Sequence, residues 1–493
     1  MNLGDSIRAG VKWLLLGSVG TQFLQFAFGI ALARLLVPAD FGMIVSIHVF
    51  TGFVGMLMSG GMGQSLIRAK EVSSDEFNAV FTMQIAIGIL IYVGFFASAP
   101  WIATYLHDPI YADLLRVSAL SFILRPLSFV RISWLNREME FKKRAQIELI
   151  GTALTLPVSV LMAWAGMGVW SLILSGLLGA FVSNILLSRA TPLRLRLHVH
   201  METVRKHSAY GFKITAGDLL THLIEQSINL ILSKLAGPGF LGIFNKAESL
   251  ARTANRLITP PTSQTIFRAM SKVQDDLDQS KYLFFRTITL LLVYICPFLV
   301  GLWWIADPFI GFVYGEKWLP VVEPLKILIL VGFLRTVSAP SWVLLSAQNR
   351  LTQLLIAQIL GLIFAIAACL TGLNWGLTGV AWASVVTTAY FAAYFYILVR
   401  KTIPTRMTDL LRAIAPGLFL GTLLFVVLAI VHFLVVNLRT SYPLLYLTAM
   451  IVAGSVLYTA AFLFVPIPAL RSEAARWRQK ISGGLDLIIA KST

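Results

Sequence analysis

The sequence predicts an all-α polytopic membrane protein of about 14 transmembrane helices. Three observations carry that expectation: recurrent apolar runs, the placement of the basic residues, and an internal repeat. The chain is 57% hydrophobic and only 13% charged, with a mean hydropathy of +0.79. Runs near the ~20 residues needed to cross a bilayer recur along its whole length. Backbone polar groups in hydrocarbon must be satisfied internally, so such runs are read as helices.

In order, the expected spans are 12–37, 41–66, 77–98, 112–134, 145–164, 167–188 and 211–235. They continue at 240–262, 284–305, 319–345, 353–371, 376–399, 410–433 and 443–465. The first, "VKWLLLGSVGTQFLQFAFGIALARLL", is too long for the apolar part of a cleavable signal and reads as a true span. The eighth, within "GIFNKAESLARTANRLITPP", is the least apolar. Loop charge requires it. With a cytoplasmic N-terminus, most of the chain's 40 Lys and Arg fall on inside segments, among them "NREMEFKKR", "RATPLRLRLHVHMETVRK", "RKTIPTR" and "RSEAARWRQK". Omitting the eighth span would put the later basic loops outside. Topology thus explains the net charge of +17, and no nucleic-acid partner is expected. The long inside segments near 189–210 and 263–283 are expected to be helical at the membrane surface. Cys296 and Cys369 lie within apolar runs and are read as packing residues.

The chain repeats itself. "LARLLVPADFG" matches "LSKLAGPGFLG" at an offset of about 200, pairing Arg34 with Lys234, Pro38 with Pro238 and Gly42 with Gly242. At an offset of about 210, Asp113, Arg116 and Arg125 match Glu323, Lys326 and Arg335. A six-span unit gives both copies the same orientation, related by an axis along the membrane normal, and implies two pseudo-symmetric six-helix lobes around a central cavity. The lobes are residues 1–190 and 210–400, joined by a basic cytoplasmic linker, 191–209. Residues 401–493 hold spans 13 and 14 and a basic cytoplasmic tail.

Ionisable side chains within spans are costly and face a cavity or a partner. Asp218, His222, Glu225 and Asn229 form one stripe on span seven, and Asn245, Glu248, Arg252, Asn255 and Thr259 form one on span eight, flanked by Lys246 and Arg256. The matching first-lobe positions carry Ser18, Gln22, Gln25, His48 and Gly52. One reading makes spans one, two, seven and eight the walls of a hydrated cavity; the other makes the charges interhelical packing pairs, such as Glu225 or Glu248 with Arg252. Arg125 and Arg335 lie roughly 20 Å along their helices from the outer ends. There they either bind an anion or snorkel to the inner headgroups. Asp113–Arg116 and Glu323–Lys326 read as structural pairs, and Arg34 and Lys234 as snorkelling residues at the outer interface. The sequence holds no nucleotide-binding GxxxxGK[ST] loop, no HExxH metal pair and no serine–histidine–aspartate set to nominate, so an enzyme is not expected.

The segments "LARLLVPADFGMIV", "RPLSFVRISWLNREMEFKKRAQIELIG", "GMGVWSLI" and "FRAMSKVQDD" resemble the polysaccharide transporter branch of the multidrug/oligosaccharidyl-lipid/polysaccharide exporter superfamily, above all its colanic-acid-exporter-like members. The resemblance covers spans 1–12 and extends to the whole chain. It implies alternating access and export of undecaprenyl-pyrophosphate-linked oligosaccharides from the inner to the outer leaflet of the bacterial cytoplasmic membrane, for exopolysaccharide, capsule or O-antigen synthesis. It also implies a cationic cavity for the pyrophosphate. By their helical faces, Arg252, Arg256 and Lys246 are the first candidates for that role, then Arg125 and Arg335, with Asn255, Gln22, Gln25 and His48 completing the wall. Asp218, Glu225, Glu248 and His222 are the candidates for Na⁺ or H⁺ coupling, with no other cofactor and no metal expected. Membrane lipids, a polysaccharide polymerase and chain-length machinery are the further candidate partners of an expected monomer. Rival readings are an organic-cation or multidrug antiporter of the same superfamily, a lipid II flippase, and a membrane glycosyltransferase or polymerase. The last lacks the large outer loop it would need. The first is disfavoured by the balance of three acids and three bases on spans seven and eight.

Overall fold

A computed structural model describes residues 3–59, 62, 66–67, 72–198 and 222–480, and among them every regular element is helical. The chain divides into two compact units, Met1–Asn245 and Lys246–Thr493.

The first unit opens with α1 (Leu3–Leu35) and α2 (Pro38–Ser59). Next come α3 (Ser74–Tyr105), α4 (Ile110–Ala119), α5 (Ser121–Arg137), α6 (Phe141–Trp164) and α7 (Trp170–Ala190). A helical stretch at 222–235, α8, leads into α9 (Gly237–Ala251). Ser73 begins α3 with a capping box, accepting from the Glu76 N–H at 3.2 Å while the Glu76 carboxylate accepts the Ser73 N–H at 3.3 Å. α1 lies close against α6 because Gly17 and Gly20 present no side chain to Ala145 and Leu149. The core joins Ile47 and Met58 of α2, Phe95 of α3, Leu114 and Leu115 of α4 and Phe122 of α5, with Phe95 and Phe122 stacked at 5.8 Å. Asn184 of α7 is tied to α5 twice: its Nδ2 donates to the Leu124 carbonyl at 3.1 Å and its Oδ1 accepts from the Ser128 hydroxyl at 2.7 Å.

The second unit contains α10 (Thr253–Lys272), α11 (Leu277–Phe309), α12 (Val322–Ala347), α13 (Leu351–Gly372), α14 (Gly376–Thr402), α15 (Met407–Val435) and α16 (Pro443–Phe464). A final helical stretch, α17, covers 471–480. The core runs from Phe284 and Ile288 of α11 through Leu344 of α12 to Val399 of α14. Both cysteines are buried, as their apolar surroundings suggest, and Cys296 packs against Gly421 of α15.

Among the described residues, ten stretches are long and apolar enough to cross a membrane, and one of them, Leu351–Thr402, contains both α13 and α14. Two expected spans are not single helices. The span placed at 112–134 is α4 plus α5, with a turn at Leu120. The span placed at 240–262 is α9 plus α10, with a turn at Arg252. Hydrogen bonds still bridge that turn, from the Arg252 N–H to the Glu248 carbonyl at 3.0 Å and from the Arg256 N–H to the Arg252 carbonyl at 2.9 Å.

Two further expectations are corrected. Residues 191–198 run extended, where a surface helix was expected. Pro192 and the alternation of Leu193 and Leu195 with Arg194 and Arg196 favour that form. The leucines pack beside Phe77 and Val80, while the Arg196 and His198 N–H groups donate to Asn78 Oδ1 at 2.9 Å and Thr82 Oγ1 at 2.8 Å of α3. Lys326 pairs with Asp307 at 2.8 Å instead of Glu323, and Arg439 joins the same carboxylate at 3.8 Å. The matching Asp113–Arg116 pair does form, at 3.5 Å.

Two turns matched in the sequence at the offset of 200 meet in space. Gly42 and Gly242 are both buried, and each lies against the backbone of the other's proline turn. A β-carbon on Gly42 would overlap the Pro238 carbonyl, and one on Gly242 would overlap the Pro38 carbonyl. These four residues are equivalent in pairs at the offset of 200, so the contact is reciprocal.

Candidate functional site

α2 carries His48, Gly52 and Gly55 on one face, at helical spacings of four and three. The two glycines leave room on that face for side chains from elsewhere in the first unit. Arg125 of α5 brings Nη1 to 2.5 Å from where a Gly55 β-carbon would lie. His222 of α8 brings Nε2 to 3.0 Å from the corresponding point on Gly52. Arg125 stacks its guanidinium 5.9 Å from the Phe122 ring centroid and is close enough to His48 for their charges to interact. Both His48 and Arg125 are exposed, and His222 is half-buried. Among the described residues no carboxylate pairs with Arg125, and the buried His222 Nε2 has no hydrogen-bond partner. The site therefore concentrates donors, five of them on one guanidinium that no described carboxylate pairs with.

Beside this cluster lies a cavity of about 600 Å³. α2 contributes Val49, Phe50 and Phe53 to its wall, α3 contributes Leu90 and Phe95, and α8 contributes Leu230. Its lining is almost wholly apolar. Of the residues singled out in the sequence, His222 belongs both to this wall and to the α2 cluster. Sequence reading missed the cavity because its Phe, Leu and Val are indistinguishable by type from lipid-facing residues.

In the second unit the polar stripe of α9 and α10 is engaged. Arg252 pairs with Glu248 at 3.0 Å, their side chains 18% and 24% exposed. Asn255 Nδ2 donates to the Gly332 carbonyl at 3.2 Å and to Thr336 Oγ1 at 2.8 Å, fastening α10 to α12. Lys246 Nζ sits 4.1 Å from the Tyr314 ring centroid and 5.4 Å from that of Trp318. Arg256 is exposed and Arg335 half-buried, and both are engaged within the protein. Gln22 and Gln25 are exposed on α1, where Gln22 Nε2 donates to Ser18 Oγ at 3.1 Å. Glu225 is exposed on α8 and also engaged. Asp218 lies outside the described residues.

The fold and this distribution of charge define a polytopic helical membrane protein. The chain belongs to the polysaccharide biosynthesis protein family, whose sequence profile matches residues 31–323. It is 26% identical to the lipopolysaccharide biosynthesis protein WzxC of Escherichia coli K12, over 71% of this chain and 72% of that protein. It is 25% identical to the succinoglycan biosynthesis transport protein ExoT of Rhizobium meliloti, over 64% of this chain and 63% of that one. Among solved structures, the lipid II flippase MurJ in an inward closed conformation matches 90% of this chain and 97% of its own, with a TM-score of 0.67 at 16% identity. An inward-facing multidrug resistance transporter of the MOP superfamily matches 78% of this chain and 95% of its own, with a TM-score of 0.60 at 12% identity.

Proposed function

We propose that the chain is a non-enzymatic exporter that carries undecaprenyl-pyrophosphate-linked oligosaccharide units from the inner to the outer leaflet of the cytoplasmic membrane. The units feed exopolysaccharide, capsule or O-antigen synthesis. Both termini are cytoplasmic, and transport proceeds by alternating access. The family and the names of its relatives support the cargo class. The observation that carries the reading to particular residues is Arg125, an exposed guanidinium in a membrane segment with no carboxylate partner among the described residues. A charge so placed is costly unless water or an anion meets it. Its planar fork suits two phosphate oxygens at once, and His48 and His222 add donors on the same face of α2. Arg252, Arg256, Lys246 and Arg335 then serve later stages of the cycle, after release from the contacts they make here. Asp218, Glu225 and Glu248 are the groups through which Na⁺ or H⁺ would couple.

The test is complementation of a strain that lacks its own exporter. Loss of a charge-assisted bond worth ~1.5–3 kcal/mol should cut surface polymer roughly ten- to a hundredfold in Arg125→Ala, with lipid-linked units accumulating inside. Arg125→Lys should retain part of the activity. Full export by Arg125→Ala, at equal protein level in the membrane, would remove Arg125 from cargo binding.

A further inference from the structure

We infer that the cavity between α2, α3 and α8 is the seat of the cargo's polyprenyl chain, a lipid-tail site continuous with the head-group cluster. This rests on the exporter reading above. The cavity has the chemistry of a hydrocarbon site, with phenylalanines of α2 and α3 against aliphatic side chains of α3 and α8. Its volume of about 600 Å³ admits several isoprene units. Its rim reaches the outer surface of the helices: Leu90 is 72% exposed and Leu223 38%. A long chain can therefore thread into the cavity from outside the packed core. His222 lines the cavity and also contacts α2 at Gly52, one turn from Arg125 at Gly55.

An occupant must thus join a long apolar chain to an anionic head. Charge complementarity selects among membrane amphiphiles. A polyprenyl pyrophosphate presents only negative charge to Arg125, His48 and His222. A zwitterionic phospholipid would also bring an ammonium group to a cluster in which no described carboxylate pairs with Arg125. The aromatic walls suit a chain of flat alkene units.

Gly94 gives a clean way to fill this space. It lines the cavity from α3, and a β-carbon there meets nothing within 4 Å. Replacing a helical glycine also favours the helix, so Gly94→Phe should fold and plug the cavity. The experiment uses the full chain in vesicles with a benzophenone-tagged undecaprenyl phosphate, and in parallel a benzophenone-tagged phosphatidylethanolamine. We expect the prenyl probe to label peptides from α2, α3 and α8, and unlabelled undecaprenyl pyrophosphate to displace it. Gly94→Phe should lower that labelling at least tenfold, and Gly94→Ala should leave it intact. Labelling mapped elsewhere, labelling indifferent to Gly94→Phe, or equal labelling of the same helices by the phospholipid probe without displacement overturns the assignment. Export by the wild-type chain is scored separately. If it fails to restore polymer, the exporter reading falls, while the labelling still decides what the cavity holds.

Discussion

Arg252 shows how much a residue's role depends on its neighbour. Its charge and its helix face could be read from the i, i+4 spacing to Glu248, but whether the pair closes could not, since it depends on side-chain rotamers and burial. The structure closes it at 3.0 Å with both partners mostly covered. Removing Arg252 leaves Glu248 partly buried without this partner, at ~3–5 kcal/mol for a fully buried pair and less here. Arg252→Ala should therefore lower the thermal midpoint in detergent more than Glu248→Ala/Arg252→Ala does. If Arg252 also meets phosphate later in the cycle, the double variant regains stability without regaining export. A double variant that exports normally would make the pair purely structural. Arg125 presents the opposite case. Its type was legible, but the space that receives it was not, because that space is made by a glycine seven residues beyond His48 on another helix.

Between helices, the two copies of the repeat solve one packing problem in inverted ways. Gly55 of α2 faces Phe122 and Arg125 of α5; at the equivalent positions Asn255 of α10 faces Gly332 of α12. The small residue has changed sides, which keeps the helices close while exchanging an arginine nook for an asparagine clamp. Offsets of 200 and 210 were visible as recurring charges, prolines and glycines, so the repeat itself was readable. The turns at Leu120 and Arg252 were not, because neither position carries a glycine or proline to announce a break. The extended run at 191–198 was misjudged for a different reason. Its basic content suggested a surface helix, while Pro192 and the two-residue alternation of leucine and arginine pointed the other way. The reciprocal glycine contact yields a prediction at this scale. Gly42→Ala or Gly242→Ala should each lower thermal stability and polymer export, and the pair together should cost less than the sum, because both disrupt one contact. Strict additivity would show that the two positions act independently.

Over the whole molecule, the distribution of charge ties the protein to the energised membrane it would work in. Lys and Arg concentrate on the expected inside segments, and the cargo proposed here carries about two negative charges. Moving each outward across an inside-negative potential gains ~2.3 kcal/mol per 100 mV. Collapsing the potential with valinomycin and potassium, at a fixed pH gradient, should slow export severalfold or more. An unchanged rate would mean that charge movement is not part of the rate-limiting step. The membrane class and the repeat were legible because hydrophobicity and charge register are summed over many residues; the apolar cavity was not, because no single residue marks it. The crossing of Pro38–Gly42 with Pro238–Gly242 has a genetic consequence. It offers two mutational targets for the same loss. Neither lesion can be repaired at the opposing glycine, which is already the smallest residue there is. A selection for restored export from Gly42→Ala should therefore return true revertants at that codon, or changes that shift a whole helix, and no compensating substitution at Gly242.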